Sequence, residues 1–317
     1  MSYRLDPELA RVLAALSTQD TDAPSVLRGD WQALRETGNA GQAALAQLVP
    51  PVTGVHTTTY ATTTDDGASI ELRWYTAEEA GPSPSPAVVY AHGGGMILGS
   101  LDLYDEVVSW YAARTGVPFL SVGYRLAPDV TGTTLAEDVF RGLIWLHEHA
   151  GTLGVDPQRI AVMGDSGGGA PAAGTAILAR NLGVPLARQI LVYPMLDDRN
   201  QTPDPPRAKY LTWTHDNNYT AWRAVLGADF GTDFVSPVAA PARLTDFTGL
   251  APAYLDVGDL DIFRDEVIAY AQNLARASVP IELHVHPGAS HGWERLAPHS
   301  GIGSRAMADR ARAVSSL

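Results

Sequence analysis

Five short, almost wholly apolar runs, at residues 87–91, 119–123, 160–163, 190–193 and 253–257, broken only by Ser121 and Asp256, constrain this chain more than any other feature. A strand with one wet face alternates polar and apolar residues, so continuous runs of this length bounded by turn residues read as strands buried on both faces. Helical patterns lie between them. Val139, Phe140, Leu143 and Leu146 place an apolar stripe on one helix, and Val267, Ile268, Tyr270 and Leu274 do so on another. Strand–helix alternation predicts an α/β fold, a mostly parallel central sheet with helices on both faces.

The flanking segments differ in texture. Ile70, Leu72 and Trp74 alternate with Glu71 and Arg73 beyond an Asp66-Gly67 turn, which predicts a half-exposed antiparallel hairpin. Before it, Pro7 suits a first helical turn, and Leu9, Val12, Leu13 and Leu16 recur at helical spacing. Residues 81–86 read as a loop. From about Asp197 to Ala228 the rhythm breaks: a proline-rich stretch leads into a segment bearing Trp and Tyr. The expected organisation is therefore N-terminal helices over 1–50, a first core part over 51–196, an inserted cap over 197–228 and a second core part over 229–317. The N-terminal helices would contribute to the same cap.

Composition removes several function classes. A net charge of −13 leaves no concentration of Lys and Arg for phosphates, so no nucleic-acid partner is expected. With no cysteine, disulfides, thiolate metal sites and cysteine nucleophiles are excluded. The N-terminus has charges inside its first turns rather than the order of a secretory signal, and no run reaches the roughly 18 apolar residues of a membrane span. A cytoplasmic location is expected.

Three motifs carry chemistry. Gly164-Asp165-Ser166-Gly167-Gly168 follows the run 160–163 and precedes an alanine-rich helical stretch. That is the context of a nucleophile elbow, in which a serine on a sharp strand-to-helix turn is exposed at the sheet's end and the helix N-terminus adds positive potential. His92-Gly93-Gly94-Gly95 also follows a buried strand, and glycine N–H groups can converge on a developing oxyanion because no side chain blocks the approach. Gly94, Gly95 and Gly167 are the expected donors. Ser290-His291-Gly292 lies beyond a predicted strand at 281–286. In the order nucleophile, acid, histidine, His291 is a better base than the in-strand His284 and His286. The acid belongs after the run 253–257, where Asp259 and Asp261 both stand in the loop; spacing does not choose between them. Asp256 falls within the strand and Asp265 within the next helix, where a solvated or capping role is the ordinary expectation.

Taken together, HGGG at His92, Gly99-Ser100, YRLAP at Tyr124, Glu137-Asp138, GDSGGG at Gly164, YPMLD at Tyr193, the D-x-x-R-D-E string at Asp261 and HGW at His291 resemble the bacterial hormone-sensitive-lipase family of esterases. The resemblance spans His92 to Trp293. It implies the α/β-hydrolase fold with a helical cap, no cofactor and no metal, small-molecule esters of short-to-medium acyl chains as substrates, and frequent dimerisation. It also selects Asp261 over Asp259, completing a set of Ser166, His291 and Asp261. Met96 stands where the family usually has an aromatic after HGGG, and it is the residue expected to touch substrate and to favour short acyl groups. Gly167 replaces a common Ala, and Ala170-Pro171 a common Asn-Leu. An amidase or acyltransferase could use the same triad; a small-molecule receptor on this fold would be expected to lack the histidine, which is present.

Overall fold

The computed structural model describes residues 3–17, 26–47, 51–79, 81 and 83–317. Its elements in chain order are α1 (Pro7–Ser17), α2 (Trp31–Gln47), β1 (Val55–Thr63), β2 (Ser69–Ala77), β3 (Ser85–Ala91), α3 (Asp105–Thr115), β4 (Phe119–Val122), α4 (Thr134–Leu153) and β5 (Val155–Asp165). They continue with α5 (Gly169–Leu182), β6 (Arg188–Val192), α6 (Pro205–Ala208), α7 (His215–Leu226), β7 (Ala253–Gly258), α8 (Arg264–Arg276), β8 (Ile281–His286), α9 (Trp293–Leu296) and α10 (Gly301–Ser315).

Among the described residues the strands form one eight-stranded sheet in the order β1-β2-β4-β3-β5-β6-β7-β8. The hairpin lies where its alternation predicts, with Thr62 opposite Ile70, and β2 continues antiparallel onto β4. Every later pairing is parallel. β5 is longer than its apolar run because Val155, ahead of the polar stretch Asp156–Arg159, pairs with Ser85 before the register shifts. No hydrophobic pattern marks that extension.

From β3 the chain crosses to β4 on one side and then returns to β5 on the other. The carboxyl ends of β3 and β5 thus flank the point where strand order reverses, the place where an open α/β sheet forms a crevice. Both glycine motifs lie there. The strands are dry on both faces: Ala87 through Ala91 are all fully buried, as are Ile160 through Met163. The α4 stripe packs through Val139, Leu143 and Leu146, with Phe140 at its margin. On α8, Val267, Tyr270, Ala271 and Leu274 are buried while Ile268 is 38% exposed. The spacing i, i+3, i+4, i+7 defines the buried face, and Ile268 falls beside it.

Two segments lie over the carboxyl ends of the strands. One is the N-terminal pair α1 and α2; the other is the segment between β6 and β7 that carries α6 and α7. They meet where the Gly29 N–H donates to Thr220 Oγ1 at 2.8 Å and Arg28 approaches Asp216 at 3.4 Å. α7 begins at Thr214, whose hydroxyl accepts from the Asn217 N–H, as an N-cap should. Leu16, part of the expected stripe of α1, has a side chain outside the described residues. Among the described residues, no helix is long and apolar enough to cross a membrane.

Candidate active site

Close packing at the end of β5 dictates the conformation of Ser166. A side chain at Gly164 would stand 2.2 Å from the Gly168 carbonyl oxygen, and one at Gly168 would stand 2.2 Å from that of Ala91. With β3, the strand and the helix start this close, the turn has room for one outward residue only. Ser166 takes it at φ +52°, a left-handed conformation that costs a non-glycine residue on the order of 1 kcal/mol. Its peptide oxygen accepts from the Met195 N–H at 2.9 Å, which anchors the turn to the segment after β6. Ser166 lies just ahead of α5, which begins at Gly169 and puts the positive end of its dipole on this side.

Beyond β8, Gly292 at φ +67° starts α9 and turns the preceding residue back toward the elbow. The His291 ring meets Ser166 through Nε2 at 2.8 Å and Asp261 through Nδ1 at 2.7 Å. Because the carboxylate can only accept, Nδ1 carries the proton and Nε2 is left to accept from the serine hydroxyl. Asp261 is fully buried, and its other oxygen accepts from the Phe263 N–H at 3.0 Å. The edges of Tyr193 and Phe263 border the imidazole at centroid distances of 4.7 and 5.2 Å. Asp259 stands apart: its carboxylate accepts from the Gly288 N–H at 2.7 Å, tying the turn after β8 to the loop after β7, and partial burial pushes its carboxyl up despite that bond.

The glycine loop after β3 folds over the elbow. Gly94, Gly95 and Met96 are consecutive left-handed residues, at φ +119°, +57° and +65°. A side chain on Gly167 would fall 2.3 Å from the Gly95 nitrogen, so these peptide groups lie against each other beside Ser166. Among the described residues the N–H groups of Gly94, Gly95 and Gly167 donate to no protein acceptor. His92 shapes the loop from below. It is stacked on Tyr124 at 4.5 Å, with Nδ1 donating to the Gly93 carbonyl at 2.9 Å, and burial lowers its pKa to about 4.

A cleft of about 610 Å³ opens above Ser166 and His291, walled by Leu34 and Leu45 of α2, Leu98, Trp213 and Leu296. Met96, expected at the substrate, is not on that wall. It is 1% exposed and packed in the core, and Leu98 lines the cleft in its place. The left-handed run carries the chain sharply round here, so the residue next to the last glycine is not the one that faces the cleft. Asp256 also departs from its expected solvated role: it is fully buried and held by Arg310 at 2.6 Å. The guanidinium comes from α10, too distant in sequence for any local signal. Two further contributors were invisible for the same reason. Arg207 of the insertion donates to the Asp261 carbonyl at 3.0 Å, and the Thr212 hydroxyl donates to the His291 carbonyl at 2.7 Å.

A family model described as alpha/beta hydrolase fold matches residues 88–295. The chain belongs to that family, on its bacterial hormone-sensitive-lipase side. Among curated relatives it is 34% identical to an ethyl acetate hydrolase of Pseudomonas putida over 240 residues, 74% of each chain. It is 37% identical to carboxylesterase NlhH of Mycobacterium tuberculosis over 219 residues, 67% of each. A solved structure of a bacterial heroin esterase superposes with a TM-score of 0.87 at 36% identity, covering 98% of this chain and 97% of the other. The protein is accordingly a carboxylic ester hydrolase of the serine type, as members of this family are.

Proposed function

We propose that Ser166 is the nucleophile of this esterase, His291 its general base and acid, and Asp261 the carboxylate that holds the imidazole. The observation that carries the reading is the continuous pair of contacts from Ser166 Oγ to His291 at 2.8 Å and from His291 to Asp261 at 2.7 Å. His291 Nε2 takes the hydroxyl proton as Oγ bonds to the ester carbon, and the carbonyl oxygen becomes an oxyanion received by the N–H groups of Gly94, Gly95 and Gly167. Collapse breaks the bond to the alcohol oxygen, which leaves with the proton from His291. Water then adds to the acyl-enzyme in the same way, its proton passing through His291. Carboxylic acid and free Ser166 result.

The substrates in this proposal are small esters with short-to-medium acyl groups, in line with the relative named for ethyl acetate and with a cleft bounded by apolar side chains. Residues 1–50 and 197–228 act as a cap over the core parts 51–196 and 229–317. Support comes from the roof that α2 and the Thr212–Asn217 stretch provide to the cleft. The test is labelling with an organophosphate followed by peptide mapping, together with rates on p-nitrophenyl acetate, butyrate and decanoate. The reading expects one adduct, on Ser166, and faster turnover of the shorter esters. An adduct on another serine would overturn the site, and a preference for decanoate would overturn the acyl class.

A further inference from the structure

The glycine loop that receives the oxyanion supports itself poorly. Three consecutive residues are left-handed, one of them the non-glycine Met96, and the internal bonds of the turn are the Ile97 and Leu98 N–H groups on the Gly94 carbonyl, at 3.1 and 3.0 Å. A turn of this kind keeps its shape only when its surroundings over-determine it. Part of those surroundings comes from one face of α2, which supplies side-chain hydrogen bonds to the loop. Arg35 Nε donates to the Ile97 carbonyl at 2.5 Å, and its Nη2 donates to the Ala127 carbonyl at 2.6 Å. Ala127 in turn donates its N–H to the Met96 carbonyl at 2.9 Å, so one guanidinium grips the loop directly and through its neighbour. One turn along the helix, Asn39 Oδ1 accepts from the Gly99 N–H at 2.9 Å. Between them Gly38 lets the helix settle on Leu98, since a side chain there would meet Leu98 Cδ2 at 2.5 Å. Positions 35, 38 and 39 share a helix face by their spacing. The guanidinium itself is fixed by stacking on Trp31 at 4.7 Å and by Asp129 at 3.1 Å.

We infer that Arg35 and Asn39 are positioning residues for the oxyanion loop, so that α2 acts on the chemical step and not only as a cover over the substrate. The inference rests on the reading that Gly94 and Gly95 stabilise the oxyanion. A brace of this kind has a distinct signature. Loosening it moves donors away from an oxygen that carries full charge only in the transition state, so turnover falls while ground-state binding is spared. A residue that merely covered the cleft would change KM first.

The experiment measures kcat and KM on p-nitrophenyl butyrate, together with amide hydrogen exchange over residues 94–99, for Arg35→Ala, Arg35→Lys, Asn39→Ala and Asn39→Asp. For the alanine variants the expected fall in kcat is on the order of 10- to 100-fold, below the loss of an oxyanion donor itself, with KM within about threefold. Exchange should rise across the loop. Asn39→Asp keeps the acceptor oxygen and should recover most of the lost turnover, whereas Arg35→Lys keeps the charge without the fork that reaches two carbonyls and should recover less. Should Arg35→Ala not fold, Asn39→Ala, which deletes one acceptor, carries the test. Raised KM with unchanged kcat would overturn the inference, as would unchanged exchange with unchanged kcat. Faster exchange with unchanged kcat would instead show that the brace exists but that Gly94 and Gly95 do not hold the oxyanion, which overturns the reading on which the inference rests.

Discussion

The floor and the roof of the cleft are built by different physics. On the floor, Ser166, His291 and Asp261 are set by backbone packed so tightly that side chains at Gly164 and Gly168 would lie 2.2 Å from carbonyl oxygens. On the roof, α7 is packed through Ala221, Trp222 and Val225 and α2 through Leu34, but the N-terminal segment is joined to α7 by individual polar contacts, Gly29 to Thr220 and Arg28 to Asp216, the latter on exposed side chains. Close packing fixes position to fractions of an ångström because displacement meets repulsion on every side. Separate hydrogen bonds, each worth about 1 kcal/mol net, allow such a seam between segments to open and close again. On the proposed reading, the reacting serine needs the first kind of support, and an entrance for ester and products is served by the second.

The sharpest test of this contrast removes the atom proposed to react on the floor. Ser166→Ala deletes one oxygen from a site whose shape comes from backbone, so the fold should persist with an unchanged circular dichroism spectrum while turnover falls by about 10⁶, the scale of nucleophile loss in serine hydrolases. Residual turnover near that of the native enzyme would refute the assignment. Next comes the pair of aspartates. Asp261→Asn would leave His291 free to hold its proton on the wrong nitrogen, a loss of about 10⁴ in kcat on the scale of the serine-protease example. Asp259→Asn touches only the Gly288 turn and should alter kcat less than about threefold while lowering stability by about 1 kcal/mol. Reversal of the two effects would move the acid to Asp259.

The same contrast explains what could be read in the residues beforehand. The floor's motifs are contiguous because glycine, serine and histidine must occupy adjacent positions to make each turn, so Gly164–Gly168 and Ser290–Gly292 announce themselves. The antiparallel hairpin and the parallel strands were equally legible, since burial writes its period into neighbouring residues. Arg35, Arg207 and Arg310 were not. Each acts on a carbonyl or carboxylate from another part of the chain, and an arginine on a helix looks the same whether it faces water or a buried acid. Asp256 was misread for that reason: its partner is 54 positions away. Met96 differs: it is the last residue of a left-handed run that no local pattern marks, and that run turns its side chain into the core.

Buried charge should separate the two regions in stability as well. Arg310, 1% exposed, pairs with Asp256 at 2.6 Å and with Glu294 at 2.7 Å, and Glu294 accepts from the Tyr193 hydroxyl beside His291. Arg310→Met strands two carboxylates without their cation, and urea denaturation should show a loss of about 3–5 kcal/mol. A loss below about 1 kcal/mol would mean that the cluster is not load-sharing with the floor. His92 adds a pH dependence of the same region. Burial lowers its pKa from 6.5 to about 4, so between those values the unfolded chain binds a proton that the folded one refuses. Stability must therefore fall as pH drops through that window and be unaffected by this group above it, a total on the order of 3 kcal/mol. The carboxyls of Asp165 and Glu266, raised by burial, act in the opposite sense, so the comparison is with His92→Gln. The difference in stability between native protein and variant should change between pH 7 and pH 4.5; a constant difference would place a charged imidazole in the fold.

The smallest expected effect lies on the roof, and its smallness is what completes the contrast. Arg28 joins the N-terminal segment to α7 through Asp216 at 3.4 Å, with side chains 49% and 60% exposed, and its guanidinium lies 3.9 Å from the centre of the Tyr219 ring. At such exposure water screens most of the attraction, and ordering two long side chains offsets much of the rest. The stacking on Tyr219 is similarly wet and adds about 0.5–1 kcal/mol at most. Arg28→Gln should then lower stability by about 1 kcal/mol or less, and raising the salt to about 1 M, where the screening length falls to roughly 3 Å, should shrink the ion-pair share of that difference. Turnover on p-nitrophenyl butyrate should stay within about twofold, because neither group touches the loop at Gly94 or the ring of His291. A loss of several kcal/mol, or a fall in kcat comparable to that of the floor variants, would show the roof to be as tightly specified as the floor. Denaturant midpoints at low and high salt, measured beside those of Arg310→Met, put both regions on one scale.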